Sequence, residues 1–156
     1  PYATGAGTWA LADLTAAGRA LLDDANAGAM LTTLGVSTFA KTILDDADAA
    51  AALTTLGFSA TVADPGSITI PNGGSNSLII KWGVSGAIPN GGSAIVTFSA
   101  AFPTTCLRVI VGPIVSGTNT SAFSVGAYSL TASQFIATNN SGSSGSAQAA
   151  WVAFGR

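Results

Sequence analysis

The residues best placed to act together in catalysis are two adjacent pairs of carboxylates, Asp23 with Asp24 and Asp45 with Asp46. The chain of 156 residues has no His and no Glu, and residues 65–156 contain no acidic side chain. A glycosidase needs two carboxyl groups that flank the bond it cleaves, and a Ser-His-Asp triad needs a histidine. Both pairs lie where helices are expected to begin, and capping is the simpler role for them. The sequence therefore predicts no catalytic residue, although a site shared between chains stays open.

Composition also argues against metal, cofactor, nucleic-acid and membrane binding. Without His, and with Cys106 as the sole cysteine, the chain lacks the usual ligands of a metal site. The net charge of −2 is opposite in sign to the basic footprint of a nucleic-acid-binding protein. No run of 18 apolar residues and no signal peptide is recognisable. We expect no cofactor, no metal and no membrane insertion, and the start at Pro1 favours a fragment of a longer protein.

Charge divides the chain into two unlike parts. Residues 1–64 hold all seven Asp and two of the five basic residues, which gives −5, whereas residues 65–156 hold the other three basic residues, which gives +3. The change falls in residues 62–66, where Pro and Gly indicate a linker. We predict a helical repeat region over residues 1–64 and a C-terminal β domain over residues 65–156.

A repeat in the first part predicts short helices. The 14 residues 22–35 return as residues 44–57 with eleven identical positions, at a spacing of 22 residues. Asp45 or Asp46 is expected to cap the second helix at its first turn. Gly57 is expected to end it, because glycine readily adopts a left-handed conformation.

The spacing of Ala49, Leu53 and Leu56 places these three side chains on one face of the second helix. A helix of about ten residues is marginal by itself in water, so this stripe needs a partner. One partner is the other repeat copy, in a helical hairpin. The alternative is a parallel homo-oligomeric stalk of three chains, with the three residues at the trimer interface. The low charge of the chain, 8% of its residues, favours the stalk.

The second part has the turns and composition of an antiparallel β-sandwich. The identical turns Ile70–Ser75 and Ile88–Ser93 contain Asn-Gly, a strong hairpin signal. Segments rich in Val, Ile, Thr and aromatic residues lie between turns, as strands do. Several segments are apolar on both faces, which predicts a sheet covered by its own core on one side and by a neighbouring chain on the other. The seven predicted strands are Ser67–Ile70, Ser77–Trp82, Ala94–Ser99, Leu107–Val115, Ala122–Ser129, Gln134–Thr138 and Ala149–Phe154.

The sequence resembles bacteriophage tail-fibre proteins. The repeat at residues 44–57 is similar to a segment common in them, and residues 78–156 resemble a family of C-terminal tail-fibre domains. Some other tail-fibre tips hold metal through His-x-His clusters, which this chain lacks. The matching elements are Leu78–Gly83, Ile95–Pro103, Thr105–Leu107 and Trp151–Gly155.

The resemblance implies a parallel homotrimer whose β domain sits at the distal end of a tail fibre. The expected fold class is mainly β: an antiparallel β-sandwich tip domain preceded by a short α-helical repeat stalk. The expected partners are the chain itself, the upstream fibre shaft and a bacterial surface glycan such as lipopolysaccharide or capsule. The expected function is non-catalytic attachment of the virion to its host, outside the cell.

Two polar loops, residues 116–121 and 138–146, are the expected recognition segments, because loops on a rigid scaffold often bind ligands. Trp82 and Trp151 are expected in the core. Arg108 is either a charge that faces the trimer or a contact for an anionic sugar. The candidate receptor-binding residues are Asn119, Thr120, Tyr128, Asn139 and Asn140.

Other functions fit part of the same pattern. A purely structural module could trimerise and cap a fibre, or a trimeric bacterial adhesin, without a receptor site of its own. A depolymerase would need carboxylates that the β domain lacks. We expect host attachment without catalysis, and treat the structural cap as the alternative.

Overall fold

The structure is a computed structural model that describes residues 2–6, 8–10, 14–73, 76–114, 124–140 and 145–156. It divides into two compact units, Pro1–Thr55 and Leu56–Arg156, and each is described by itself. We call them the helical unit and the β unit.

The helical unit opens with an antiparallel pair of short strands, β1 (Tyr2–Gly5) and β2 (Thr8–Ala10). Four helices of seven or eight residues follow in the described part of the chain, none long and apolar enough to cross a membrane. They are α1 (Ala16–Asp23), α2 (Ala27–Thr33), α3 (Thr38–Leu44) and α4 (Ala49–Thr55).

The caps of α2 and α4 differ from the prediction. The side-chain oxygens of Asn26 and Asp48 each accept a hydrogen bond at 2.9 Å from the backbone N–H three residues further on. The prediction that Asp45 or Asp46 caps the helix is therefore wrong. The helix begins at Ala49, so both carboxylates precede its cap.

The structural repeat is longer than the sequence repeat. Thr15 and Ser37 cap α1 and α3 in the same way, again 22 residues apart. Gly35 and Gly57 follow α2 and α4 with φ angles of +80° and +86°, which confirms the predicted role of Gly57. Each 22-residue unit is thus a pair of short helices. None of the described residues in these helices is buried, so packing within one chain contributes little to their stability.

The β unit contains all seven predicted strands and one that the sequence pattern missed. The missed strand is β3, which has only three residues, all exposed. The strands are β3 (Ser59–Thr61), β4 (Gly66–Ile70), β5 (Leu78–Val84), β6 (Ser93–Thr97), β7 (Cys106–Ile114), β8 (Val125–Tyr128), β9 (Gln134–Asn139) and β10 (Gln148–Gly155).

These strands form two antiparallel sheets. The five-stranded sheet has the order β3-β4-β5-β10-β7, and the three-stranded sheet has the order β6-β9-β8. One face of each sheet contributes to a common core, in which the rings of Phe98, Phe102, Phe135 and Trp151 lie 5.0–5.8 Å apart between centroids. Their tilted and edge-on arrangement is the one that aromatic pairs prefer. Gly83 makes room for the indole, since a Cβ there would lie 2.7 Å from the Trp151 ring.

The two tryptophans predicted for the core have different positions. Trp151 is only 4% exposed, which confirms its prediction. Trp82 is paired with Val152 in the register of the sheet, so it lies on the opposite face. Its ring is half-buried, and its indole N–H donates to the carbonyl oxygen of Ala63 at 3.1 Å. The prediction of a core position is wrong for Trp82.

Candidate functional site

The described residues that flank the two polar loops predicted to bind a receptor meet at one end of the β unit, which we call the loop end. Ile114, just before the first loop, is paired with Gln148, just after the second. The backbone N–H of Asn140 donates to the carbonyl oxygen of Ser124 at 2.8 Å, so the other two ends of these loops also meet. The β unit begins at the opposite end of the sheet, where β3 starts. The described residues that flank both loops therefore lie at the end of the sheet away from the start of the unit.

The candidate contact residues do not all lie together. Asn119 and Thr120 fall outside the described residues. Asn140 is exposed at the loop end. Tyr128 is 47% exposed but ends β8, about 10 Å from its first residue, at the rise of an extended strand. Exposure of Asn140 and Tyr128 agrees with a binding role, which itself stays a prediction.

Asn139 is not an exposed contact, and this expectation is corrected. It is the last residue of β9, its side chain faces the core, and it is fully buried. Its Nδ2 group donates to the carbonyl oxygens of Ile88 at 3.0 Å and Gly145 at 3.3 Å. It therefore joins the turn before β6 to the segment before β10. The sequence alone could not distinguish it from its neighbour Asn140, because both belong to a polar run.

We expect Asn139→Ala to lower the free energy of unfolding by about 2 kcal/mol, because it removes a fully buried amide together with its hydrogen bonds to the carbonyl oxygens of Ile88 and Gly145. The adjacent exposed Asn140→Ala serves as a matched control and should change it by less than about 0.5 kcal/mol. Guanidinium unfolding followed by circular dichroism measures both. Equal effects of the two substitutions would contradict the structural role of Asn139.

The outward side of the five-stranded sheet, which we call the five-strand face, is almost entirely apolar. Its side chains alternate with those that enter the core. Ile110 on this face is 63% exposed. Soluble monomers rarely expose a continuous apolar surface of this kind. Its members are Ala60, Gly66, Ile68, Ile70, Leu78, Ile80, Trp82, Val84, Arg108, Ile110, Gly112, Ile114, Gln148, Ala150, Val152 and Phe154, of which only Arg108 and Gln148 have polar side chains.

A shallow groove of about 480 Å³ crosses the five-strand face. Trp82, Ile110 and Val152 line it together with Asp64, the one carboxylate among its described lining residues. A single carboxylate does not provide the acid and nucleophile pair of a glycosidase. Apart from Asp64, the described residues that line the groove offer mainly apolar contact.

The outward side of the three-stranded sheet, which we call the three-strand face, has a mixed character. Tyr128, Ile136 and Ile95 form one row across the three strands. Our sequence interpretation missed this face, although the alternation of outward and buried residues along β9 was its signal. Polar side chains flank the row: Ser93, Thr97, Gln134 and Thr138.

Two buried groups could titrate inside the β unit. Lys81 is 5% exposed; its Nζ donates to the carbonyl oxygen of Ala100 and lies 5.0 Å from the centroid of the Phe102 ring. Burial lowers the pKa of Lys81 and raises the pKa of the Cys106 thiol. Cys106 is 8% exposed, as expected for a small buried hydrophobe.

The contribution of Lys81 to stability should rise as pH rises toward 10.5, the ordinary pKa of lysine, because Lys81 loses its proton more readily in the folded chain than in the unfolded one; the raised pKa of Cys106 acts in the opposite direction. Guanidinium unfolding between about pH 8 and 10 should show the Lys81 contribution as a growing difference from Lys81→Met. Lys81→Met lacks the titrating group, so the difference between the two chains isolates its contribution. A difference that is independent of pH would show that the lysine keeps its ordinary pKa.

Comparison with known proteins identifies a protein family for residues 70–156. A family model described as the C-terminal region of gp53-like tail fiber proteins matches residues 70–156. No curated protein sequence matches the chain significantly.

Two solved structures share the fold. The R2 pyocin fibre of P. aeruginosa has a TM-score of 0.54 and 26% identity, over 70% of this chain and 29% of that one. An N-truncated R2-type pyocin tail fibre has a TM-score of 0.58 and 23% identity, over 96% of this chain and 56% of that one. The chain thus spans less than two thirds of either structure, and the second match shows the fold alone.

Proposed function

The chain belongs to the family of gp53-like C-terminal tail-fibre domains, and we propose that it forms a homotrimeric fibre tip that attaches a phage or pyocin-like particle to a bacterial surface glycan. In this proposal the tip acts outside the cell, at the distal end of the fibre and joined to its shaft. It binds the glycan without cleaving it.

The five-strand face is the observation that carries the assembly. Its five strands contain 32 residues, which gives it an area of about 500 Å² at ordinary strand spacing and rise. Stable contacts bury roughly 800 Å² per partner, so this face could supply most of one. Covering it with copies of the same chain also explains why the protein has so few charged residues. A closed threefold arrangement would cover the five-strand face in the same way in each of the three chains.

The helical unit supports the same assembly. Leu53 and Leu56 are 49% and 41% exposed, and Ala49 is exposed as well. Leu22 and Leu44, one repeat apart, are 72% and 64% exposed. Because these apolar side chains have no core within the chain, we propose that they pack around a shared stalk axis.

The exposed polar surface of the β unit supports the proposed attachment. The residues that flank the two polar loops lie at the end of the β unit opposite its start, and receptor contacts at this end are part of the proposal. Asn140 there remains a candidate contact, as do Asn119 and Thr120 in the first loop. Tyr128 lies on the three-strand face and is a separate candidate.

Binding of fluorescently labelled protein to a panel of bacterial strains tests the proposed attachment. We expect binding to some strains, and loss of that binding after periodate oxidation of their surface sugars. Binding that survives periodate but not protease would contradict a glycan receptor. An intact trimer that binds no strain would favour the structural cap.

We also expect no hydrolysis, because the described acids of the β unit include no second carboxylate near Asp64. Incubation with capsule or lipopolysaccharide of a bound strain should release no new reducing ends. Release that is absent with Asp64→Asn would contradict the proposal and locate a catalytic site in the groove.

A further inference from the structure

We infer that the three-strand face holds uncharged sugar rings of the surface glycan, with Tyr128 as the platform on which a ring stacks. This inference rests on the proposed attachment function and specifies a surface and a ligand class for it.

The row of Tyr128, Ile136 and Ile95 gives the face an apolar floor. The three residues are direct neighbours across β8, β9 and β6, so the row is about 10 Å long at ordinary strand spacing. Tyr128 and Ile95, at its two ends, are 47% and 64% exposed. The C–H face of a sugar ring packs well on such a surface, because an aromatic side chain offers a large rigid contact area together with a polar hydroxyl group.

Polar groups border this floor on both sides. Thr138 and Ser93 lie in the row toward the loop end, and Gln134 and Thr97 lie in the row on the other side. Short hydroxyl and amide side chains can donate to and accept from the hydroxyl groups around a sugar ring.

A glycine opens the floor beside the tyrosine. Gly126 precedes Tyr128 by two residues on the same face of β8, and it is paired with Thr138. A Cβ at Gly126 would lie 3.1 Å from Thr138 Oγ1, so the glycine leaves room for the threonine hydroxyl, which donates to the Gly126 carbonyl oxygen at 3.4 Å. The Thr138 oxygen can still accept a hydrogen bond from a sugar hydroxyl.

Charge and area decide the class of partner. The described residues of the face include no Asp, Lys or Arg, so an acidic sugar would find no counter-charge there. Three strands and five residues per strand give an area of about 250 Å². That is far below the roughly 800 Å² per partner of a stable protein contact. The face therefore suits a small uncharged ligand better than a second copy of the chain.

An array of uncharged and acidic bacterial surface oligosaccharides tests this site, with the assembled protein as the probe. Uncharged glycans should bind, and Tyr128→Ala should weaken that binding by about tenfold or more. Tyr128→Phe keeps the ring and should stay within about threefold of the unaltered protein. Thr138→Val removes one hydroxyl and should also weaken binding. Light scattering and melting temperature confirm that each variant remains folded and assembled.

The outcomes separate this site from the attachment function. Loss of glycan binding in Asn140→Ala, with full binding by Tyr128→Ala and Thr138→Val, would overturn the site and leave attachment standing. Binding restricted to acidic glycans, or to none while periodate-sensitive cell binding persists, would also overturn it. Absence of cell binding altogether would contradict the attachment function itself.

Discussion

Ile110→Asp is expected to convert the protein into single chains. Light scattering of the unaltered protein should give about three times its chain mass of 15.2 kDa, whereas the variant should give the chain mass alone. The reason is electrostatic, because the assembly would bury an aspartate on the apolar five-strand face, where Arg108, two residues away on β7, is the one basic side chain among the described residues and would only partly offset its charge. Burying such a charge costs on the order of 3–5 kcal/mol, and an assembled trimer would bury three of them.

The chain offers a matched control on its other face. Ile95 is 64% exposed and Ile110 is 63% exposed, and both lie in strands, so Ile95→Asp makes the same chemical change at the same exposure. We expect Ile95→Asp to remain trimeric, since the three-strand face stays open in the proposed assembly. A monomeric unaltered protein at micromolar concentration would refute the assembly. If Ile95→Asp dissociates the trimer and Ile110→Asp does not, the interface lies on the three-strand face, and our assignment to the five-strand face is wrong.

Trp151→Ala should cause the largest loss of stability within one chain, a decrease of about 3–5 kcal/mol in the free energy of unfolding. The indole is 4% exposed and contacts the rings of Phe98 and Phe135 in the core. Its removal leaves a cavity that the two sheets cannot close. Guanidinium unfolding at one fixed chain concentration measures the effect, because assembly makes stability depend on concentration.

Trp151→Phe is the matched variant for this position. The buried indole Nε1 has no hydrogen-bond partner among the described residues, so replacing it with a phenyl ring forfeits no such bond. We expect a loss of less than about 1.5 kcal/mol, as for other substitutions that keep most of the core volume. A loss as large as that of Trp151→Ala would show that the indole N–H has an essential partner.

Local patterns were sufficient to predict the strands. The alternation of apolar and polar residues and the Asn-Gly turns depend on neighbours in the chain, and they located all seven predicted strands. The same holds for Gly57 at the end of a helix. The helix caps were harder to predict from the sequence. Asp45, Asp46 and Asp48 have the same side chain, and only the backbone conformation decides which of them precedes the first turn.

The sequence by itself determined seven of the ten described strands, the helix repeat, the shortage of catalytic groups and the resemblance to tail fibres, because each is a local or compositional property. It missed β1, β2 and β3, which have only three or four residues each. Only the tertiary structure decided which face a side chain occupies and what lies opposite it. It buried Asn139 and exposed Asn140, placed Trp151 in the core and Trp82 outside it, and brought Tyr128 into one row with residues from two other strands. The physical reason is that a strand's alternation defines two faces, but which of them becomes the core depends on the sheet packed against it.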